Sequence, residues 1–385
     1  MEYCLKCLTT NLRPNALFID GVCIACRFSE NRTQNGDNFD LKLKTLRNEI
    51  RKVLASSRKK FGKTAYDCIV GVSGGKDSTR QAHWVRDRLG LRPLLVCVAY
   101  PPIQMSEIGA MNLSNLVDMG FDLVTCTPAP QTSAALTLEG FKDFGNVSKA
   151  TELALFSTVP RVAIEMRIPL IFWGENPAVQ VGDSAVEGKN DFDGNNLRSL
   201  NTLTDGVDSW LSNFKKLGLD TSHYEYPSEQ QFELKGVQIM YLGPAWDDWS
   251  NLDNAFYASL GGLVLRPNEE DITGDISNAS MLDEEFTNIN MMLKYFKYGF
   301  GRATDICNEN IRLGKITREK AVDIVTKYDG LCDESIISRF CKYVGITMEE
   351  FWKITHKWVN LSLFEIPSNG GRPVPKFHVG KNYEN

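Results

Sequence analysis

The sequence predicts a mixed α/β chain: a doubly wound, mostly parallel sheet, with a small cysteine-rich module in front and a helical region behind. Three observations carry this. Strand-sized apolar runs alternate with helical patterns between Tyr66 and Leu242, four of the ten cysteines fall in the first 26 residues, and from about Leu282 the apolar spacing is helical. A chain of 385 residues with 43% hydrophobic content can bury a full core without disulfides, so its cysteines are free for other chemistry.

The first element is Cys4-x2-Cys7 followed, fifteen residues on, by Cys23-x2-Cys26. Each pair can turn two thiolates toward one ion, and two pairs complete a closed tetrahedral zinc site. Turn formers between the pairs (Pro14, Asn15, Asp20, Gly21) fit a zinc ribbon over residues 1–35. An iron–sulfur cluster and four unligated thiols are the other readings. A polar stretch around residues 30–38 then leads into a basic amphipathic helix up to Phe61, which makes 36–64 a basic helical linker. Its cations read as a solvated face or as a surface for anions.

Residues 65–265 are expected to form the sheet domain. Strands are predicted at Tyr66–Val72, Pro93–Ala99, Phe121–Cys126, Ile168–Trp173 and Val237–Leu242, with helices at Ser78–Leu89, Ser106–Met119 and about Ala150–Met166. The stretch of about 178–231 is polar and Gly/Asn/Asp-rich, hence a lid or a partly disordered insertion. In 266–385 helices are predicted around Met291–Tyr298, at Thr317–Tyr328 and after Thr347, where Glu350 completes a capping box. No apolar run approaches the roughly 20 residues of a membrane span. The chain start lacks a signal-peptide pattern, so a cytoplasmic location is expected. A net charge of −5 disfavours nucleic acid as the main partner.

The first strand runs into Ser73-Gly74-Gly75-Lys76-Asp77-Ser78, with a helix beyond. Glycines allow close approach, helix N–H groups point outward, and Lys76 adds a positive charge, so an anion is expected there. It is not a G-x-x-x-x-G-K-[ST] loop, because Val70 stands at the first glycine position and Asp77 follows the lysine. Gly174-Glu175-Asn176 follows the fourth strand, offering a carboxylate and an amide to substrate or magnesium, or a mere surface cap. Trp246 and Asp247 follow the fifth strand, as a stacking surface or as core.

The six-residue loop matches the S-G-G-x-D-S signature of PP-loop ATP pyrophosphatases. That resemblance implies a PP-loop/HUP-like fold and cleavage of ATP between its α and β phosphates, with Ser73 to Ser78 and Gly174 around ATP and Mg²⁺. Lys76, Asp77, Glu175 and Asn176 become the candidate catalytic residues. The stretch from Lys294 to Asp305 (K-Y-F-K-Y-G-F-G-R-A-T-D) further resembles N-acetyl sugar amidotransferases of surface-polysaccharide and nonulosonic-acid pathways. The implied reaction is ATP-dependent conversion of an acetamido group on a nucleotide-linked sugar to an acetamidino group. Lys297, Arg302 and Asp305 would contact the sugar's carboxylate or diphosphate, or else form a salt-bridged helix start. No glutaminase Cys/His pair is evident among His83, His223, His356 and His378. By resemblance, ammonia comes from a separate glutaminase and a barrel subunit like those of imidazole-glycerol-phosphate synthase. The rival resemblance is a tRNA-thiolating PP-loop sulfurtransferase, for which Cys68, Cys97 and Cys126 are the one conceivable cysteine cluster.

Overall fold

The computed structural model describes residues 1–384 apart from 15, 36–37, 175–185, 205, 247 and 269. The chain divides into two compact units. One comprises 1–36, 137–148 and 266–385; the other comprises 37–136 and 149–265. Among the described residues, no helix is long and apolar enough to cross a membrane.

In chain order the elements begin with a hairpin, β1 (Phe18–Ile19) and β2 (Val22–Cys23), and helix α1 (Ile24–Asn35). The turn is Asp20-Gly21, both residues at positive φ, as a two-residue hairpin loop requires. The sheet unit then follows with α2 (Phe39–Phe61), β3 (Cys68–Gly71), α3 (Lys76–His83), β4 (Pro93–Val98), α4 (Glu107–Asp118) and β5 (Asp122–Cys126). After α5 (Pro130–Phe144) come α6 (Lys149–Met166), β6 (Leu170–Trp173), α7 (Val207–Lys216), α8 (Glu229–Lys235), β7 (Gln238–Tyr241) and α9 (Asn251–Leu260).

The five long strands form one parallel sheet in the order β5-β4-β3-β6-β7. The chain builds outward from β3 to β5 on one side, then returns to lay β6 on the other side of β3. The direction of winding therefore reverses between β3 and β6, where crevices open at the carboxyl ends of such sheets. Both faces are covered, as the unbroken apolar run of β4 anticipates. Leu46, Ile50, Val53 and Leu54 of α2 pack on one face with Val70, Leu95 and Phe172. Val159, Ala163 and Ile164 of α6 pack on the other with Ile69, Val96 and Ile171. The basic helix thus buries its apolar stripe against the sheet and leaves its cations outside.

The described part of the polar insertion is ordered. Phe192 and Leu197 are buried on opposite sheet faces, and Asp193 bridges to Met240 beside β7. Its polar side chains make turns locally: Asp193 accepts from the amides of Lys189 and Asn195. The disordered alternative is therefore corrected for residues 186–204 and 206–231, whereas 178–185 lie outside the described residues.

The other unit ends with α10 (Glu270–Thr273), α11 (Thr287–Tyr298), α12 (Arg302–Arg312), α13 (Arg318–Tyr328), α14 (Glu334–Val344), α15 (Met348–His356), β8 (Phe364–Glu365) and β9 (Val374–Pro375). The capping box expected at Thr347 and Glu350 is present. Phe141 fills the centre of this core against Phe340 and Phe351, which explains why 137–148 groups with the terminal helices. Burying a ring of that size contributes on the order of 2–3 kcal/mol. The cysteine module also belongs here: Asn308 accepts from the Leu8 amide at 2.7 Å, and Arg318 donates to the Cys7 carbonyl.

Candidate functional site

The phosphate-loop candidate sits where the winding reverses. β3 ends at Gly71, whose absent side chain admits Val159 of α6. Gly74 has φ of +87°, and a Cβ there would lie 2.7 Å from the Gly109 carbonyl oxygen. Only glycine fits such a place. Asn112, buried inside α4, donates to the carbonyls of Gly74 (3.1 Å) and Val264 (3.0 Å) and accepts from the Val264 amide. The loop is thereby tied to the chain after α9.

Gly75 is the N-cap of α3 and supplies no side-chain cap. The amides of the helix's first turn therefore keep their outward donor capacity, at the positive end of the dipole. Ser78 Oγ donates to the Gly75 carbonyl, closing the turn. Lys76, buried along its stem, pairs through Nζ with Asp77 Oδ2 at 2.7 Å. Asp77 Oδ1 accepts from Asn254 Nδ2 of α9 at 2.6 Å. Behind it, Arg80 Nη1 donates to Asn254 Oδ1 at 2.7 Å and Nη2 to Asp248 Oδ1 at 2.6 Å. The Arg80 guanidinium lies over the rings of Trp246 and Tyr257.

Gly174 closes the second strand end. A Cβ there would fall 2.1 Å from Gln81 Nε2, and its carbonyl accepts from the Gly243 amide at 2.8 Å. Gly174 is thus within contact of α3, the helix that follows the Ser73–Ser78 loop. Glu175, Asn176 and Asp247 lie outside the described residues. Trp246 is buried against Trp84, Trp249 and Arg80, so its ring supports Arg80 from within the core and offers no open face for stacking.

Cys4, Cys7, Cys23 and Cys26 converge, with all four sulfurs within 4.8 Å of one another. A tetrahedral Zn–S site with bonds near 2.3 Å has sulfurs about 3.8 Å apart. The separation of 3.7 Å between Cys7 and Cys23 matches. The amides of Lys6 and Cys23 point at Cys4 Sγ and that of Thr9 at Cys7 Sγ, donors that stabilise thiolate. Crowding divides the thiols: hydrogen bonds from Cys23 lower Cys4, and the bond with Cys26 lowers Cys23 to about 6, while bonding with Cys23 raises Cys7 and Cys26. A bound dication would remove that conflict by favouring the thiolate at all four positions. The residues fit a structural zinc ion.

Lys297, Arg302 and Asp305 do not form one cluster: Lys297 stands apart, while the charge of Arg302 acts on Asp305 together with those of Lys294 and Arg13. Lys297 donates to the carbonyl of Phe144, the last residue of α5, and lies over Trp358; burial lowers its pKa. This is a helix C-cap by a cation. Asp305 pairs with Arg13 and Lys294, whose charges hold it ionised despite burial. Between them Gly299 ends α11 at φ of +76° and Gly301 begins α12. Asp329 caps α12, accepting from the amides of Gly301 and Thr304 and from the Thr304 hydroxyl. Arg302 alone of the three faces a short polar loop, donating to Ser280, with its Nε unsatisfied within the protein. The distinctive Lys294–Asp305 stretch is therefore chiefly a helix junction.

Register separates the remaining sheet cysteines. Cys68 pairs with the first residue of β4, whereas Cys97 is the fifth, about 13 Å farther along. Cys126 aligns with Val98, so it faces the opposite side of the sheet from Cys97. They do not form a thiol cluster. Asn112 and Asn254, by contrast, organise the Ser73–Ser78 loop with no motif around them, each a buried polar residue on a mainly apolar helix, whereas Arg80 sits two residues past the loop on α3.

The family model for the C-terminal domain of LPS biosynthesis protein WbpG-like proteins matches residues 281–368. No curated protein matches the chain. The matched span runs from the approach to α11 through β8 and contains the junction built on Gly299, Gly301 and Asp305. Over this C-terminal segment the chain is similar to proteins of lipopolysaccharide biosynthesis, which supports an LPS biosynthesis family.

Proposed function

We propose that the chain is an ATP-dependent, AMP-forming carbon–nitrogen ligase that turns the acetamido group of a nucleotide-linked sugar into an acetamidino group for surface-polysaccharide synthesis. The observation that supports the reading is the loop Ser73–Ser78 at the reversal between β3 and β6, where the N-terminus of α3 and the paired charges of Lys76 and Asp77 come together. The similarity of 281–368 to an LPS biosynthesis family supports the pathway class.

The acetamido oxygen attacks the α-phosphorus of ATP, pyrophosphate leaves, and an O-adenylyl imidate forms. Ammonia adds to its carbon, a proton is lost, and AMP departs with the former amide oxygen. Loop amides and Lys76 stabilise the charge that develops on the phosphates. Asp77 supplies a hard oxygen suited to Mg²⁺ on those phosphates, the metal contributing charge neutralisation. Water must be excluded from the imidate, which would otherwise revert to the amide. The ordered turns at 186–204 stand beside β7 and contribute one wall of the sheet's edge.

Ammonia is assigned to a separate glutaminase with a barrel subunit. His83 is committed to Met119, Phe121 and Arg86, and His356 to the Gly371 carbonyl, settings that do not activate a cysteine. Of Lys297, Arg302 and Asp305, Arg302 alone keeps a buried nitrogen without a partner within the protein. The tRNA-thiolating alternative loses its cysteine cluster through the strand register described above.

The test is incubation with ATP, Mg²⁺, ammonium and an acetamido nucleotide sugar carrying ¹⁸O in the acetamido group. AMP containing ¹⁸O and a sugar product about 1 Da lighter than unlabelled substrate are expected, and Lys76→Ala abolishes both without loss of zinc. No mass change with such sugars, together with sulfur transfer to tRNA, rejects the assignment.

A further inference from the structure

We propose that Asn254 is a positioning residue for Asp77, with Arg80 as its anchor, so that helix α9 determines which carboxylate oxygen the phosphate loop presents to the metal–nucleotide complex. The inference rests on the ATP-cleaving reading of the loop.

The direction of the contact follows from donor inventory. A guanidinium only donates and an ionised carboxylate only accepts. Because Arg80 Nη1 faces one end of the Asn254 amide at 2.7 Å, that end must be the oxygen; the NH₂ must then face Asp77, as its 2.6 Å contact with Oδ1 requires. An amide carries its acceptor and its donor on separate atoms, so it can bridge a guanidinium and a carboxylate. Aspartate here would oppose Asp77 with a second carboxylate, and leucine would leave both neighbours unsatisfied.

The anchor cannot drift. Arg80 is held by the side chain and backbone carbonyl of Asp248 and lies between Trp246 and Tyr257. Asn254 is 1% exposed, so water does not stand in for it. With Oδ1 bonded to Asn254, Asp77 meets Lys76 through Oδ2. Loss of the amide frees the carboxylate to rotate and grip Lys76 with both oxygens, withdrawing the ammonium from phosphate and Oδ2 from the cation. Lys76 on its own helix and Asn254 on α9, backed by Arg80, contact Asp77 directly, and Asp248 and Asp253 are bonded in turn to Arg80 and to Ser250.

The test uses the full chain with its zinc, and the variants Asn254→Ala, Asn254→Asp, Asp77→Asn and the swap Asp77→Asn/Asn254→Asp. In thermal unfolding without nucleotide, Asn254→Asp lowers the melting temperature and the swap recovers most of that loss, because one amide again faces one carboxylate. In AMP formation, Asn254→Ala raises the Mg²⁺ concentration for half-maximal rate about tenfold, and the swap stays inactive because the carboxylate has left the loop. A purely structural Asn254 leaves Mg²⁺ saturation unmoved. Additive losses in the swap, or wild-type rate and Mg²⁺ saturation in folded Asn254→Ala, overturn the proposal. Wild-type protein that forms no AMP overturns it through its premise, and is told apart by a swap that still recovers the melting temperature.

Discussion

Asp329 offers a sharp test of how the terminal unit is held together. It is buried, and burial raises its carboxyl from 3.8 to about 6, against the hydrogen bonds from Gly301 and Thr304, which lower it. The folded state therefore holds this proton more tightly than the unfolded state. Stability from this source is complete below the unfolded value and is lost as pH rises through the folded one. Raising pH from about 5.0 to about 7.5 should cost about 1.4 kcal/mol through Asp329 alone. Asp329→Asn keeps an oxygen for the α12 amides but cannot titrate, so it loses a hydrogen bond at the acid end and escapes the ionisation cost at the other. Urea midpoints for wild type and variant at both pH values isolate the effect, since the remaining titrations are shared. The variant's stability should fall less with rising pH, by about the stated amount. Equal pH slopes in the two proteins would show that Asp329 keeps an ordinary pKa, the hydrogen bonds of the cap having offset its burial, and would refute the expected pH dependence.

Removing the metal from the four-cysteine site, by chelation or Cys23→Ser, should take zinc from one per chain to none and lower the melting temperature by roughly 10 °C or more. A strong visible absorbance from the purified protein would instead identify iron at these thiols. Gly174→Ala should cost on the order of 1 kcal/mol, because its methyl displaces the Gln81 amide and presses on Trp249, and Gln81→Ala in the same chain should recover much of that loss. Failure of the second change to compensate would place the strain elsewhere.

The parts of the fold that were legible from sequence are those fixed by local chemistry. Each predicted strand of the sheet lies within two residues of the observed one, since continuous apolar runs bounded by turn residues have few alternatives. The loop Ser73–Ser78 and the four cysteines were visible because glycine, charge and spacing declare themselves without a partner. Asn254 was not, for its meaning comes from residues 177 and 174 positions away. Nor was helix α5: its apolar residues are spaced for a core assembled from Phe340 and Phe351, far along the chain. Lys297 illustrates the converse. Its place in an unusual motif suggested substrate, yet its partner is the carbonyl that ends α5.

The junction around Gly299 and Gly301 has a consequence for inheritance. What makes that stretch distinctive is the demand of two helices meeting through a tight turn, with Asp329 sealing one and no room for a side chain at Gly301. Such a joint is set by the helices it connects and places no demand on the Ser73–Ser78 loop, which belongs to the other compact unit. Replacing Lys76 and Asp77 would leave the joint intact while removing the charges on which the proposed chemistry rests. Kinship read at the joint and activity read at the loop are separate characters of this molecule, free to part company over time.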